Sequence, residues 1–244
     1  MNRLYQKSKL WFALAWILVY VVGTGAADAV SKTVGLEKSI TVLYLTALSV
    51  TAAVWICRNG LLRRFGICKG VLPPRKMLYY LPLAAMVSCN LWFGVQANYG
   101  LVETVLYIVS MLLVGFLEEL IFRGFLFDAM RRDGLKSAVI VSSVTFGIGH
   151  IVNLFNGSGA ELLPNLCQVC YAIAGGFLFV IIFHKTKSLL PCIITHSLLN
   201  ALSAFAVTQN AAQEILSAAA LCAVQLLYAL YLLKQKVPET NISS

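Results

Sequence analysis

Charged residues are scarce in this chain. Only 12% of its 244 residues are Asp, Glu, Lys or Arg, about half the share that is typical of soluble domains. Hydrophobic residues make up 59% of the chain, and the mean hydropathy is +0.81. This composition excludes an ordinary soluble domain and indicates a membrane protein.

Apolar stretches long enough to cross a bilayer recur along the chain, since about 20 helical residues cross the hydrocarbon core. They predict an all-α, polytopic membrane protein with about eight transmembrane helices, which form a single transmembrane domain over residues 1–244. The first stretch has a basic flank but no convincing cleavage site, so we interpret it as a retained helix. The predicted spans are 10–27, 40–57, 77–95, 101–129, 137–154, 166–183, 189–207 and 215–233.

Acidic residues are fewer than basic ones, and the basic ones are unevenly placed. The chain has ten acidic and 19 basic residues, which gives a net charge of +9. Sixteen of the 19 lie before the first span, in the loops 58–76, 131–136 and 185–187, or after the last span. All of these places are on one side of the membrane. The positive-inside rule therefore predicts a multi-pass cell-membrane protein with both termini in the cytoplasm, and we expect no nucleic-acid partner.

Two familiar signals are missing. The seven cysteines are odd in number and mostly scattered within the spans, which is not a disulfide framework. The chain also lacks the HExxH pattern of many zinc proteases.

The first two spans offer no candidate chemistry. The loop 58–76 alternates basic and apolar residues and predicts a segment on the inner membrane surface, with Leu61, Leu62 and Phe65 inserted in lipid.

The stretch GFLEELIFRGFLF, residues 115–127, places three ionisable groups inside the fourth span. A charge at bilayer depth costs roughly 3 kcal/mol or more, so such groups usually face a polar interior and have a function. On a helix Glu119 and Arg123 are one turn apart and can pair, whereas Glu118 points about 100° away. The pattern predicts a neutralised Glu119 and a Glu118 without a local partner. A network that only fixes helix packing is the alternative interpretation.

Further polar groups lie in the fifth and seventh spans. His150 is in the fifth span, and His196 and Asn200 are one turn apart in the seventh. Counted at 1.5 Å per residue from the cytoplasmic helix ends, Glu118 and His150 both lie about 20 Å deep. We expect these helices to form one polar cluster, which is too costly for packing alone. Its members are Glu118, Glu119, Arg123, His150, His196 and Asn200.

The three motifs together resemble a known family. Glu118-Glu119-x-x-x-Arg123, Phe146-x-x-x-His150 and His196-x-x-x-Asn200 are similar to the motifs of the CPBP family of intramembrane proteases, over about residues 100–205. That family includes the eukaryotic type II CAAX prenyl endopeptidases and bacterial proteins tied to bacteriocin processing and immunity. The resemblance implies an eight-helix fold, a site that opens towards the cytoplasm, and attack of water on a peptide bond.

The resemblance also implies a role for each matched residue. Glu118 would be the general base, and His150 would help to hold the water. His196 and Asn200 would stabilise the oxyanion, while Glu119 and Arg123 would brace the site. Two mechanisms stay open. Glu118, His150 and His196 could bind Zn²⁺ or another divalent metal, or water could be activated without a metal. The pairing of Asn200 with His196 favours the metal-free mechanism slightly.

The expected partners are the lipid bilayer and a membrane-associated peptide or protein substrate. The compact chain, without long extensions, favours maturation of a bacteriocin or pheromone precursor, or self-immunity to such peptides, over cleavage of prenylated proteins. The alternatives from other classes are a non-catalytic immunity protein and a proton- or ion-coupled transporter. Many transporters have two matching halves, but residues 1–95 contain no counterpart of 101–205.

Overall fold

The computed structural model describes residues 1–155 and 160–236, and this part of the chain is helical. Within it there is no strand, only an isolated antiparallel bridge between Val95 and Ala206. The predicted all-α class is confirmed. The α-helices are α1 (Asn2–Lys7), α2 (Lys9–Val34), α3 (Ser39–Arg58), α4 (Leu81–Val87), α5 (Leu101–Glu119), α6 (Asp128–Met130), α7 (Leu135–Gly149), α8 (Leu162–Thr186), α9 (Leu190–Leu202) and α10 (Ala211–Lys234).

Other helical turns extend several of these elements. A π-helical segment joins α5 to α6, so that the helix runs without a break through the first motif. The segment is Leu120–Phe127, and the 3₁₀ turns are Pro74–Tyr80, Ser88–Leu91, Arg131–Asp133, His150–Leu154 and Ser203–Phe205.

Six helical stretches in the described residues are long and apolar enough to cross a membrane, which agrees with a polytopic membrane protein. Each corresponds to one of the eight predicted spans. They are Lys9–Val34, Ser39–Arg58, Leu101–Asp133, Leu135–Leu154, Leu162–Thr186 and Ala211–Lys234.

The two remaining predicted spans, 77–95 and 189–207, form shorter helices. In the first of them, the backbone is left-handed at Leu78, Tyr79 and Tyr80, a conformation that interrupts a right-handed helix. Helix α4 then has only seven residues, about 10 Å of length. Helix α9 has 13 residues, and with the 3₁₀ turn after it forms the shorter apolar helix Leu190–Phe205.

The loop between α3 and α4 packs into the protein, and not only on the membrane surface as predicted. Phe65 is fully buried, and its ring centroid lies 5.0 Å from that of Phe125. Leu62 remains 39% exposed. The expectation for Phe65 was wrong. Alternating basic and apolar residues predict an amphipathic segment, but the pattern is the same whether the apolar side faces lipid or protein. The buried ring ties this loop to the π-helical segment.

Candidate active site

The first motif lies where the α-helix changes into a π-helix. Glu118 and Glu119 end α5, and Arg123 lies inside the π-helical segment Leu120–Phe127. Every residue of that segment is buried. π-helical turns are rare and often occur at functional sites. The polar groups of this motif therefore belong to a helix that is buried in the protein on the side of Leu120–Phe127.

Glu119 and Arg123 form the predicted pair. Nη1 of Arg123 lies 3.0 Å from Oε1 of Glu119, and both side chains are fully buried. The contact is an ion pair by distance, but it is not aligned as a hydrogen bond. The guanidinium also lies 4.0 Å from the ring centroid of Phe146, which adds a cation–π contact. Arg123 is thus held by Glu119 and by the first residue of the second motif.

His196 lies between the two glutamates. Its Nδ1 is 2.8 Å from Oε1 of Glu119, and its Nε2 is 3.4 Å from Oε2 of Glu118. An ionised carboxylate can only accept a hydrogen bond. Glu119 acts as a carboxylate because it pairs with Arg123. Nδ1 of His196 therefore carries a hydrogen and donates a hydrogen bond to Glu119. This bond fixes the ring so that Nε2 faces Glu118.

Tyr20 of α2 is a site residue that the sequence analysis missed. Its hydroxyl donates a hydrogen bond of 2.8 Å to Oε1 of Glu118, and its side chain is only 6% exposed. The expectation that the first two spans offer no chemistry was therefore wrong. A single tyrosine in an apolar helix is an ordinary feature, and the one available signal was that a buried hydroxyl normally needs a partner.

A cavity of about 420 Å³ joins the three motifs. Glu118, His150, His196 and Asn200 all line it. Glu119 and Arg123 lie behind this surface, where Arg123 pairs with Glu119 and Glu119 contacts His196. The structure thus brings the six predicted residues together but separates them into four that face the cavity and two that do not. In the described residues no protein group hydrogen-bonds the Asn200 amide, so its N–H groups can donate into the cavity.

A close contact between α5 and α9 sets the distance between the first and third motifs. A Cβ atom added at Gly115 would lie 2.5 Å from the backbone nitrogen of Ser197, the residue after His196. The Ser197 hydroxyl in turn donates to the carbonyl of Leu112. Real Cβ contacts are not this short, so only glycine allows the helices to approach this closely. The absence of a side chain at Gly115 therefore keeps His196 near Glu118.

We expect Gly115→Ala to destabilise the protein by about 1–3 kcal/mol, the usual cost of overpacking, and to slow turnover because α9 must move away from Glu118. Melting in detergent and peptide cleavage measure the two effects. Gly25→Ala in α2 is the matched control for stability, because a Cβ atom there meets nothing within 4 Å. Equal melting temperatures of the two variants would contradict this account of the helix contact.

The metal alternative requires Glu118, His150 and His196 to share one ion. Among the described residues, no group of three His, Cys, Asp or Glu side chains is arranged to hold a metal ion. Both ring nitrogens of His196 face carboxylates, and Oε1 of Glu118 accepts the Tyr20 hydroxyl. A metal bound by Glu118, His150 and His196 therefore stays a prediction from the resemblance, and the mechanism proposed below contains no metal-dependent step.

The cavity extends towards the helix ends that carry few cations. Asp28 and Lys38, near the connection between α2 and α3, line it together with Asn153 and Ser203. These residues lie at the end of the bundle opposite to the basic loops. With the orientation predicted from the charges, an opening towards the cytoplasm does not match this lining. The resemblance alone implied that opening, since nothing in the motif spacing determines which end of the helices is closed.

The fold and the site define a polytopic membrane protein with a buried carboxylate–imidazole centre beside a cavity. A comparison with models of protein families matches residues 100–202 to the family described as type II CAAX prenyl endopeptidase Rce1-like. The matched segment contains all three motifs and confirms the resemblance to the CPBP/CAAX family of intramembrane proteases. The match to this family indicates a peptide hydrolase. Comparisons with curated proteins and with solved structures found no match.

Proposed function

We propose that this protein is an intramembrane endopeptidase that cleaves a membrane-associated peptide or protein with a water molecule activated by Glu118. The observation that carries the proposal is the position of His196, which bridges Glu119 and Glu118 at the wall of the cavity. A packing network would have no need to expose Glu118, His150 and Asn200 on one cavity surface. The family match supports the reaction class.

In the first step, the Glu118 carboxylate takes a proton from water while the water oxygen attacks the carbonyl carbon of the peptide bond. His150 helps to hold the water. The new C–O bond converts the carbonyl oxygen into an oxyanion, and the Asn200 amide N–H donates to it. Donors placed in advance at such an oxyanion are usually the largest single contribution to catalysis.

His196 provides the second donor to the oxyanion. Its Nδ1 is held by Glu119, and its Nε2 faces Glu118 at the cavity wall. Once Glu118 has taken the proton from water, Nε2 donates to the oxyanion that forms beside it.

In the second step, protonated Glu118 returns its proton to the nitrogen of the leaving amine. The C–N bond breaks, the carbonyl re-forms as part of a carboxylic acid, and Glu118 is again a carboxylate. Tyr20 keeps the carboxylate in place throughout, because its hydroxyl donates to the oxygen that does not face His196. No covalent enzyme intermediate is required.

The biological role that we propose is maturation of a bacteriocin or pheromone precursor, or self-immunity to such a peptide. The protein would act at the cell membrane with both termini in the cytoplasm.

To test the reaction itself, the purified protein is reconstituted in liposomes with synthetic peptides that each contain one apolar span, in water enriched in ¹⁸O. We expect a new carboxyl terminus that contains ¹⁸O. Movement of uncleaved peptide into the liposomes would favour the transporter alternative instead.

Asn200→Ala separates the enzymatic from the packing role of this residue. If its amide donates to the oxyanion, the change should lower kcat by about 10²–10³-fold with little change in KM. If Asn200 only links helices, stability should fall by about 1 kcal/mol with near-normal turnover. Turnover and melting are measured on one preparation. A stable and fully active variant would remove Asn200 from the proposed catalytic group.

A further inference from the structure

One end of the site is sealed. The π-helical segment Leu120–Phe127, which continues from Glu119 towards the basic end of the bundle, is buried throughout. The loop after α3 crosses this end and is hydrogen-bonded to the connection between α8 and α9. The bonds run from Leu189 N to Gly66 O (2.7 Å), from Val71 N to Thr186 O (2.8 Å) and from Ser188 Oγ to Cys68 O (2.6 Å). A peptide has no described route through this packing.

The other end is lined by partly exposed groups at the helix termini. One side of α2 lines the cavity between Tyr20 and the C-terminal end of the helix. The residues on this side are Thr24, Gly25 and Asp28. Lys38, at the start of α3, pairs with Asp28 at 2.9 Å and also lines it. The cavity therefore runs from Glu118 to the connection between α2 and α3.

The length of this passage limits what can reach the site. Tyr20, which bonds Glu118, and Asp28 are eight residues apart on one helix, or about 12 Å at 1.5 Å per residue. An extended peptide covers at most about 3.3–3.6 Å per residue. At least about four residues, the number for a fully extended chain, are therefore needed to bring a peptide bond from the outer rim to Glu118.

We propose that the substrate enters the site from the cation-poor face of the membrane domain, with at least about four residues between the rim and the bond that is cleaved. The predominance of Lys and Arg at the opposite end assigns this face to the outside of the cytoplasm. The statement that the entering molecule is a peptide rests on the proposed function, whereas the direction of access rests on the cavity and the charge distribution alone.

The direction of access is tested by labelling cysteines from outside intact cells with a sulfonated maleimide that does not cross membranes. Gly25→Cys places a thiol in the cavity, where a Cβ atom meets nothing within 4 Å. Thr24→Cys is a second variant one helical position away. Lys69→Cys, on an exposed residue of the basic loop, is the matched control for the opposite face. Site-resolved mass spectrometry distinguishes these thiols from the seven native cysteines.

We expect Gly25→Cys and Thr24→Cys to be labelled in intact cells, and Lys69→Cys only after permeabilisation. Labelling of the two cavity thiols only after permeabilisation would overturn the proposal, because the cavity would then face the cytoplasm. Labelling of Lys69→Cys in intact cells would overturn the assignment of the faces. Cavity thiols that stay unlabelled in permeabilised cells would show that water does not reach this passage, which also contradicts the proposal.

Cleavage assays then test whether the substrate uses this route. The maleimide adduct at residue 25 should reduce peptide cleavage at least tenfold, and the adduct at residue 69 should leave it unchanged. Labelling from outside without any loss of cleavage would contradict the substrate route and leave the proposed protease function intact. If the unmodified protein cleaves no peptide, the proposed function fails, but the labelling pattern still decides the direction of access.

Discussion

Glu118→Gln should lower kcat by about 10²–10⁴-fold, the range that a general base contributes, while expression and membrane insertion stay normal. Glutamine keeps the size of the side chain, and its carbonyl oxygen can still accept the hydrogen bond from Tyr20. It cannot take a proton from water. The measurement is cleavage of a membrane peptide by reconstituted protein, together with the amount of folded protein that is recovered from the membrane.

The control for this change is Glu161→Gln, which removes an exposed carboxylate at the start of α8 that makes no capping hydrogen bond. It should leave cleavage unchanged. Full activity of Glu118→Gln would show that another group activates the water and would remove the central step of the mechanism. The same pair of variants separates an enzyme from a non-catalytic immunity protein, because a binder would keep its protective function in cells when Glu118 becomes Gln.

Arg123→Ala is expected to destabilise the protein by about 3–5 kcal/mol, the usual cost of removing one partner from a buried ion pair. The change leaves the Glu119 carboxylate fully buried without its cation, and Phe146 loses its cation–π contact. Activity should fall as well, since Glu119 orients His196. Melting in detergent and recovery from the membrane measure the effect on stability.

Two further variants identify the cause. Combining Glu119→Gln with Arg123→Ala removes the unpaired charge, so this double variant should recover much of the protein level. Arg64→Ala breaks an ion pair with Asp128 in which the two side chains are 38% and 12% exposed, so its cost should be smaller than that of Arg123→Ala. No recovery in the double variant would mean that Glu119 and Arg123 do not act as partners. An equal loss in Arg64→Ala would mean that burial does not determine the cost.

Much of the membrane class and part of the site could be predicted from local patterns. The Glu119–Arg123 pair was predictable because residues four apart lie on one face of a helix, and the π-helical turns preserve that contact. The similar depth of Glu118 and His150 followed from the rise per residue along two antiparallel neighbours. Six of the eight predicted spans form helices that are long and apolar enough to cross a membrane. The segments around α4 and α9 form shorter helices, which their apolar runs alone did not predict.

The sequence alone determines the membrane class through its apolar runs and its clustered cations, and it indicates the reaction class through the three motifs. Each of these signals consists of residues that are near one another in the chain. The contact between Tyr20 and Glu118 joins residues 98 positions apart. The bridge from His196 to Glu119 spans 77 positions, and the sealing of the basic end depends on a loop that meets the connection between α8 and α9. Only the tertiary structure decides these features, because the packing of distant helices, and not local spacing, selects which buried polar groups become partners.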